Sequence, residues 1–299
     1  MASMSYDRHC AEIVAQTALL RTRVEGADLS APVPTCPGWT LARLLRHLGG
    51  AHRRAERLVR TRATGPVPEG PVPDTRVSDV DVPGPADGDG SALGAWLTEG
   101  AGRLADTLRA TGPETAVWTS GPGRTPAFWA RRMTHETVVH RADATFAIAQ
   151  APGGPAVADH PFAVVEDVAV DALDAWMSFG SLPAVLERGP HISAFLGTGR
   201  TLRLQATDGT PEAAADWLVG LGADALTWQR PPSPTPDTAP ATTTVRGALN
   251  DLLLLVYGRL PARGPAPAPV AAGTGPVEIL GEAALLDAWL EAVGRWLRE

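Results

Sequence analysis

The chain has no lysine and only one asparagine, Asn250, in 299 residues. All 26 basic residues are therefore arginine. Together with abundant Ala, Gly and Pro, this usage follows GC-rich codons rather than a physical demand, and it points to a high-GC bacterium. Cysteine is nearly absent: Cys10 and Cys36 stand alone, in neither a CxxC nor a zinc-ribbon spacing. That excludes a disulfide-stapled scaffold and fits a reduced, cytoplasmic setting. Long apolar runs are missing too. The longest aliphatic stretch, Leu252 to Val256, is far too short to span a bilayer. The opening MASMSYDRHC lacks the apolar core and cleavage pattern of a signal peptide. A net charge of −7 and a pI near 5.5, with no DNA-reading motif, argue against nucleic acid or an anionic membrane as partner.

What remains is an ordinary globular composition, 44% hydrophobic and 20% charged, long enough for two domains that each bury a core. The first half reads as four helices. Ile13, Leu20 and Val24 form one stripe, with Thr17 its polar member. Thr40 caps a second helix whose apolar face is Leu41, Leu44, Leu45 and Leu48. After a Pro/Gly-rich connection over 65–90, a third helix carries Leu93, Trp96, Leu97, Leu104 and Leu108. Thr125 and Pro126 open a fourth, a cap followed by proline at the first helical position. The tryptophans at 39, 96, 129, 176, 289 and 296 read as core.

The period changes in the second half. A helix through Val164, Val168, Leu173 and Trp176 is expected to bridge, over 156–190, from a bundle of residues 1–155 to a domain of residues 191–299. Leu202 and Leu204 alternate with Arg203 and Gln205 and precede Asp208-Gly209, a strand-and-turn signal. WLVGL, ALTWQ, TTTVR and VEIL are further strand candidates, interleaved with helices at 248–257 and near the C-terminus. The fold class is α+β: a four-helix bundle followed by a smaller domain with a short mixed sheet.

The chemistry concentrates on the second and fourth helices. Glu136 and His140 are four apart and share one face with Trp129, Met133, Asp143 and Ala147. That stripe is apolar at its ends and ionisable in its middle. Buried carboxylate and imidazole need a partner, which a metal ion or an internal ion pair supplies. His47, at the edge of its helix face, offers a third ligand. Two histidines and one carboxylate leave coordination open, as in a catalytic rather than a structural zinc site. Asp143, one turn beyond His140, is placed to orient it. His52 lies about 140° around the helix from His47 at ~100° per residue and points elsewhere. His135 falls off the Glu136 face and reads as a surface or interface residue. Cys10 and Cys36 read as small structural side chains.

CPGWTLARLLRHL, RRMTHETVVHRADA and VRGALNDLLLLVYGRLP, in that order, resemble the mycothiol-dependent maleylpyruvate isomerase family. The resemblance implies a DinB-like metal-binding bundle followed by a sterol-carrier-protein-like domain. It implies that His47, Glu136 and His140 are divalent-metal ligands, with zinc the usual metal. It implies mycothiol, the small thiol of high-GC actinobacteria, as co-substrate. It also implies an arginine near the site from the C-terminal domain, with Arg259 the better match and Arg246 the second. The activity implied is isomerisation, or S-transfer to a small electrophile. Two other classes fit the same residues: a thiol-independent Lewis-acid enzyme of specialised metabolism, and a metal-stabilised binding protein or regulator. A monomer that binds only small molecules is expected.

Overall fold

The computed structural model describes residues 4–66, 84–86, 88–151, 162–183, 196–210, 213, 215–223, 225–231, 240–260 and 277–298. Most of the 65–90 connection, the proline-rich loop at 231–240, the loop at 263–275, His160 and His191 lie outside these residues. The chain divides into two compact units, Met4–Phe162 and Ala163–Glu299.

The first unit is four helices: α1 (Tyr6–Val24), α2 (Leu41–Arg60), α3 (Gly90–Thr111) and α4 (Pro126–Gln150). Local chemistry starts each one. Ser5, Thr40 and Asp89 accept from the backbone N–H three residues on, which satisfies a donor that the first turn leaves without a partner. Thr125 precedes α4 with Pro126 at the first position but makes no side-chain cap bond; proline's fixed φ and missing N–H suffice there.

In cross-section α1 and α2 stand on opposite corners, as do α3 and α4, so each helix packs mainly on the two that are not its diagonal. The core separates into two apolar clusters. One joins Leu41, Leu44, Leu45 and Leu48 of α2 to Ala144, Ala147 and Ile148 of α4, with Leu20 and Leu97. The other joins Ala55, Leu58 and Val59 to Trp129, Ala130 and Met133, with Ile13 and Leu104. Helices α2 and α4 therefore run in opposite directions, the start of one beside the end of the other. Between the clusters both helices turn polar. Residues 49–54 of α2 and 134–143 of α4 supply His52, Glu136, Thr137, His140 and Asp143 to a hydrophilic waist.

The second unit carries β1 (Thr201–Ala206), β2 (Asp216–Leu221), β3 (Leu226–Gln229), β4 (Thr243–Gly247) and β5 (Glu278–Gly281) in one sheet of order β3-β2-β1-β4-β5. Only β1 and β4 pair in parallel, Leu202 opposite Thr243; the other neighbours are antiparallel. In β1, Leu202 and Leu204 are buried and their neighbours are not, the alternation expected of a strand with one covered face. Helices α5 (Glu166–Gly180), α6 (Leu249–Val256) and α7 (Ala283–Arg298) complete the unit. The helix expected to bridge is α5, and it is part of this unit: Trp176 meets the ring of Tyr257 at 5.2 Å and that of Trp289 at 6.3 Å. Trp217 donates to Asp174 at 2.7 Å, satisfying its buried indole.

Close approach of α2 and α3 depends on glycine on both helices. A Cβ on Gly49 would stand 2.2 Å from a ring carbon of Trp96, and one on Gly100 would stand 2.4 Å from the guanidinium of Arg53, which itself lies 3.9 Å from the Trp96 ring centroid. Gly49→Ala is expected to destabilise the bundle by about 1–3 kcal/mol through overpacking. Gly102→Ala, where an added Cβ meets nothing, should instead stabilise it by about 0.5–1 kcal/mol from helix propensity. Urea unfolding of the two variants measures both.

Candidate metal centre

His47 of α2 and Glu136 and His140 of α4 come together as the spacing predicts. Nε2 of His47 lies 3.2 Å from Glu136 Oε1, and Nε2 of His140 lies 3.3 Å from the same oxygen. The imidazole planes stand at 79° with centroids 4.9 Å apart. Two ligand atoms each about 2.1 Å from one ion, as for zinc nitrogen and oxygen bonds, and about 105° apart are separated by roughly 3.3 Å. The two edges to Glu136 match that spacing and all three ligand atoms lie within 4.8 Å of one another, so the side chains could hold a single divalent cation. They are mostly shielded from solvent, with side chains 12%, 19% and 8% exposed for His47, Glu136 and His140.

Each ligand has a further partner. His140 Nδ1 is 2.8 Å from Asp143 Oδ2. Asp143 is fully buried, accepts from the Thr35 hydroxyl, and has the Cys36 thiol 3.5 Å from Oδ2. The carboxylate thus holds the His140 proton on Nδ1 and leaves Nε2 for the cluster, the arrangement that orients metal-binding histidines. Glu136 Oε2 is 3.3 Å from Nη2 of Arg132, one turn earlier on α4. Trp39 packs its ring 4.9 Å from that of His47 and 6.1 Å from that of His140, nearly parallel to the latter. Arg43 lies 5.1 Å over the same indole. The turn before α2 therefore wraps the site with three side chains, Thr35, Cys36 and Trp39.

The electrostatics follow from this packing. Burial opposes charge on His140, but bonds to Asp143, Cys36 and Glu136 outweigh it and hold its pKa well above the ordinary histidine value. Burial likewise opposes charge on Glu136, and Arg132, His140 and His47 hold its carboxyl well below the usual range. His52 behaves oppositely. Full burial pulls its pKa down to about 3, so it is neutral at physiological pH. The Thr137 hydroxyl donates to the Met133 carbonyl. It therefore receives the His52 Nε2–H at 2.9 Å, a second α2–α4 link beside His47–Glu136.

Three neighbours of the site go beyond the reading of the sequence. Cys36 and Trp39 read as structural, yet both touch the site; Arg132 joins it too, and its place four before Glu136 is the signal for it. Of the two readings of His135, surface or interface, the structure gives the second: it is buried, its ring 6.0 Å from that of His9 on α1. Arg246, on β4, is 3.5 Å from Glu278, and Arg259 donates to the Tyr257 carbonyl at 2.7 Å; both belong to the second unit. Among the described residues no helix is long and apolar enough to cross a membrane.

Residues 10–145 match the family model of the mycothiol maleylpyruvate isomerase N-terminal domain. Two solved structures share the fold of the chain: the mycothiol-dependent maleylpyruvate isomerase, and a point mutant of it. Each is 15% identical, with a TM-score of 0.51 over 92% of this chain and 99% of theirs. No curated protein matches the sequence. The family resemblance read from the three motifs is borne out, as is the α+β architecture.

A cation entering the cluster has to displace a proton that His140 holds more tightly than an ordinary histidine. Divalent-metal affinity is therefore expected to climb with pH through the usual histidine range and beyond it. Calorimetry in buffers of different ionisation heat reads the released proton directly. Asp143→Asn should weaken metal binding by about 10–100-fold and flatten that pH dependence.

Proposed function

Because residues 10–145 belong to the mycothiol maleylpyruvate isomerase N-terminal domain family, we propose that the chain is a divalent-metal-dependent enzyme that uses a mycothiol-type thiol to isomerise or S-conjugate a small electrophile. One observation carries the reading: His47, Glu136 and His140 converge at 3.2–3.3 Å in a shielded site with three protein ligands, not four.

These three residues would hold the metal, with zinc the first candidate. The bound ion supplies Lewis acidity, which deprotonates a thiol at neutral pH. Asp143 keeps the Nδ1 proton on His140 and fixes the ring's direction. Trp39 covers the two imidazoles and limits water at their faces. Arg259, with Arg246 as second candidate, would pair with a carboxylate of substrate or thiol through a two-pronged bond. Their assignment rests on the family pattern.

For a maleylpyruvate-like substrate, the thiolate sulfur forms a bond to one carbon of the activated double bond, and the electron pair moves to the adjoining carbonyl. Rotation about the resulting single bond follows. The pair then returns, the carbon–sulfur bond breaks, and the thiolate leaves with the trans alkene formed. No oxidant or reductant is consumed. With a leaving group on the electrophile, the sulfur stays and the product is the S-conjugate. The protein would act as a cytoplasmic monomer on small molecules.

Calorimetric titration of mycothiol into the zinc-loaded protein tests the proposal, with the Glu136→Ala/His140→Ala double variant as control. The expected outcome is binding that requires the metal and is lost in the control. A zinc-loaded protein that fails to bind mycothiol would point instead to Lewis-acid chemistry without a thiol.

A further inference from the structure

We infer that Arg132 is a positioning residue that makes Glu136 a one-oxygen ligand and so keeps a coordination position free for the thiol. This inference rests on the reading of His47, Glu136 and His140 as metal ligands.

The two oxygens of Glu136 have separate work. Oε1 faces both imidazole Nε2 atoms, at 3.2 and 3.3 Å. Oε2 faces the Arg132 guanidinium at 3.3 Å. A carboxylate can give a cation one oxygen or two. Given two, Glu136 would raise an ion that also holds a water or thiol from four ligand atoms to five and crowd the place that three ligands otherwise leave open. Arg132 competes for that second oxygen with a charge that cannot be lost by deprotonation. It sits one turn before Glu136 on the same helix, so no loop motion separates the two. Its side chain is 33% exposed and that of Glu136 is 19% exposed, so the pair lies at the mouth of the site, where an incoming thiol would pass. Asp143 orients His140 from behind; Arg132 does the equivalent for Glu136 from the front.

Cobalt(II) is the probe, because four-coordinate cobalt absorbs visible light several-fold more strongly than five- or six-coordinate cobalt. The wild-type protein and the variants Arg132→Met, Arg132→Gln and Arg132→Lys are loaded with cobalt alone, and their visible spectra and cobalt affinities are recorded. Helix content and unfolding midpoint are measured on the same samples, so that a variant that fails to fold is set aside in favour of the others. The expected result is an intense wild-type spectrum, several-fold loss of intensity in Arg132→Met and Arg132→Gln, and recovery in Arg132→Lys, whose ammonium still reaches a carboxylate oxygen. A merely structural ion pair would alter the unfolding midpoint and leave the spectrum alone. Unchanged, intense spectra in Met and Gln variants that bind cobalt overturn the role of Arg132 and leave the metal centre standing. A folded wild type that binds no cobalt overturns the metal reading itself.

Discussion

The first unit is organised around one constraint: the carboxylates and the imidazole buried on α4 call for more partners than α4 alone supplies. Removing either charge from water costs several kcal/mol unless it is paired and hydrogen-bonded. Glu136 meets the need by reaching His47 across the helix interface, and His140 does so by turning Nδ1 to Asp143. Asp143 in turn reaches Thr35 and Cys36 in the turn before α2. The polar waist is therefore a chain of dependencies running from α4 to α2 and back to the connection that precedes α2. The apolar clusters on either side hold the helices together. The waist fixes their register, because sliding α2 by one turn would part His47 from Glu136 and His52 from Thr137.

The same logic explains why the site needs a wrapped rather than an open end. The near-parallel stack of Trp39 on His140 and the burial of Asp143 lower the local dielectric, and a low dielectric strengthens every interaction among the charges present. It also punishes any missing partner. His52 on α2 shows the alternative solution: burial without a charged neighbour in contact leaves it neutral, with Nε2 paired to a single hydroxyl.

Much of this was legible beforehand. Four-residue spacing put Glu136 and His140 on one face, and the apolar edge carried His47 towards them. The angular offset from His47 turned His52 away, and period-two alternation marked Leu202 and Leu204 as a strand. These signals are local, and helices and strands transmit them faithfully. What stayed hidden was carried by segments without a period. The direction of Cys36 and Trp39 depends on how a turn folds back over the end of the bundle, and nothing in CPGWT encodes its target. The diagonal placement of α1 and α2 was equally silent, since a sixteen-residue connection can reach either neighbour. Spacing alone left His135 open between surface and interface, because being off one face of α4 implies exposure only for a helix with a solvent side, and α4 is buried almost all round.

The charge balance of the cluster has a consequence for how an ion would enter it. With Glu136 ionised, His140 protonated and Arg132 and Asp143 completing the set, the metal-free bundle is electrically self-sufficient. Its helices do not wait for a cation in order to dock, unlike small zinc modules that collapse only when loaded. The ligands come from helices some ninety residues apart in the chain, so the binding site exists only after α4 has joined α2. Loading would then be a late exchange of a proton for an ion in a finished scaffold. Such an exchange can run in reverse, and the supply of metal in the cell would set how much of the protein is active without changing how much of it is folded.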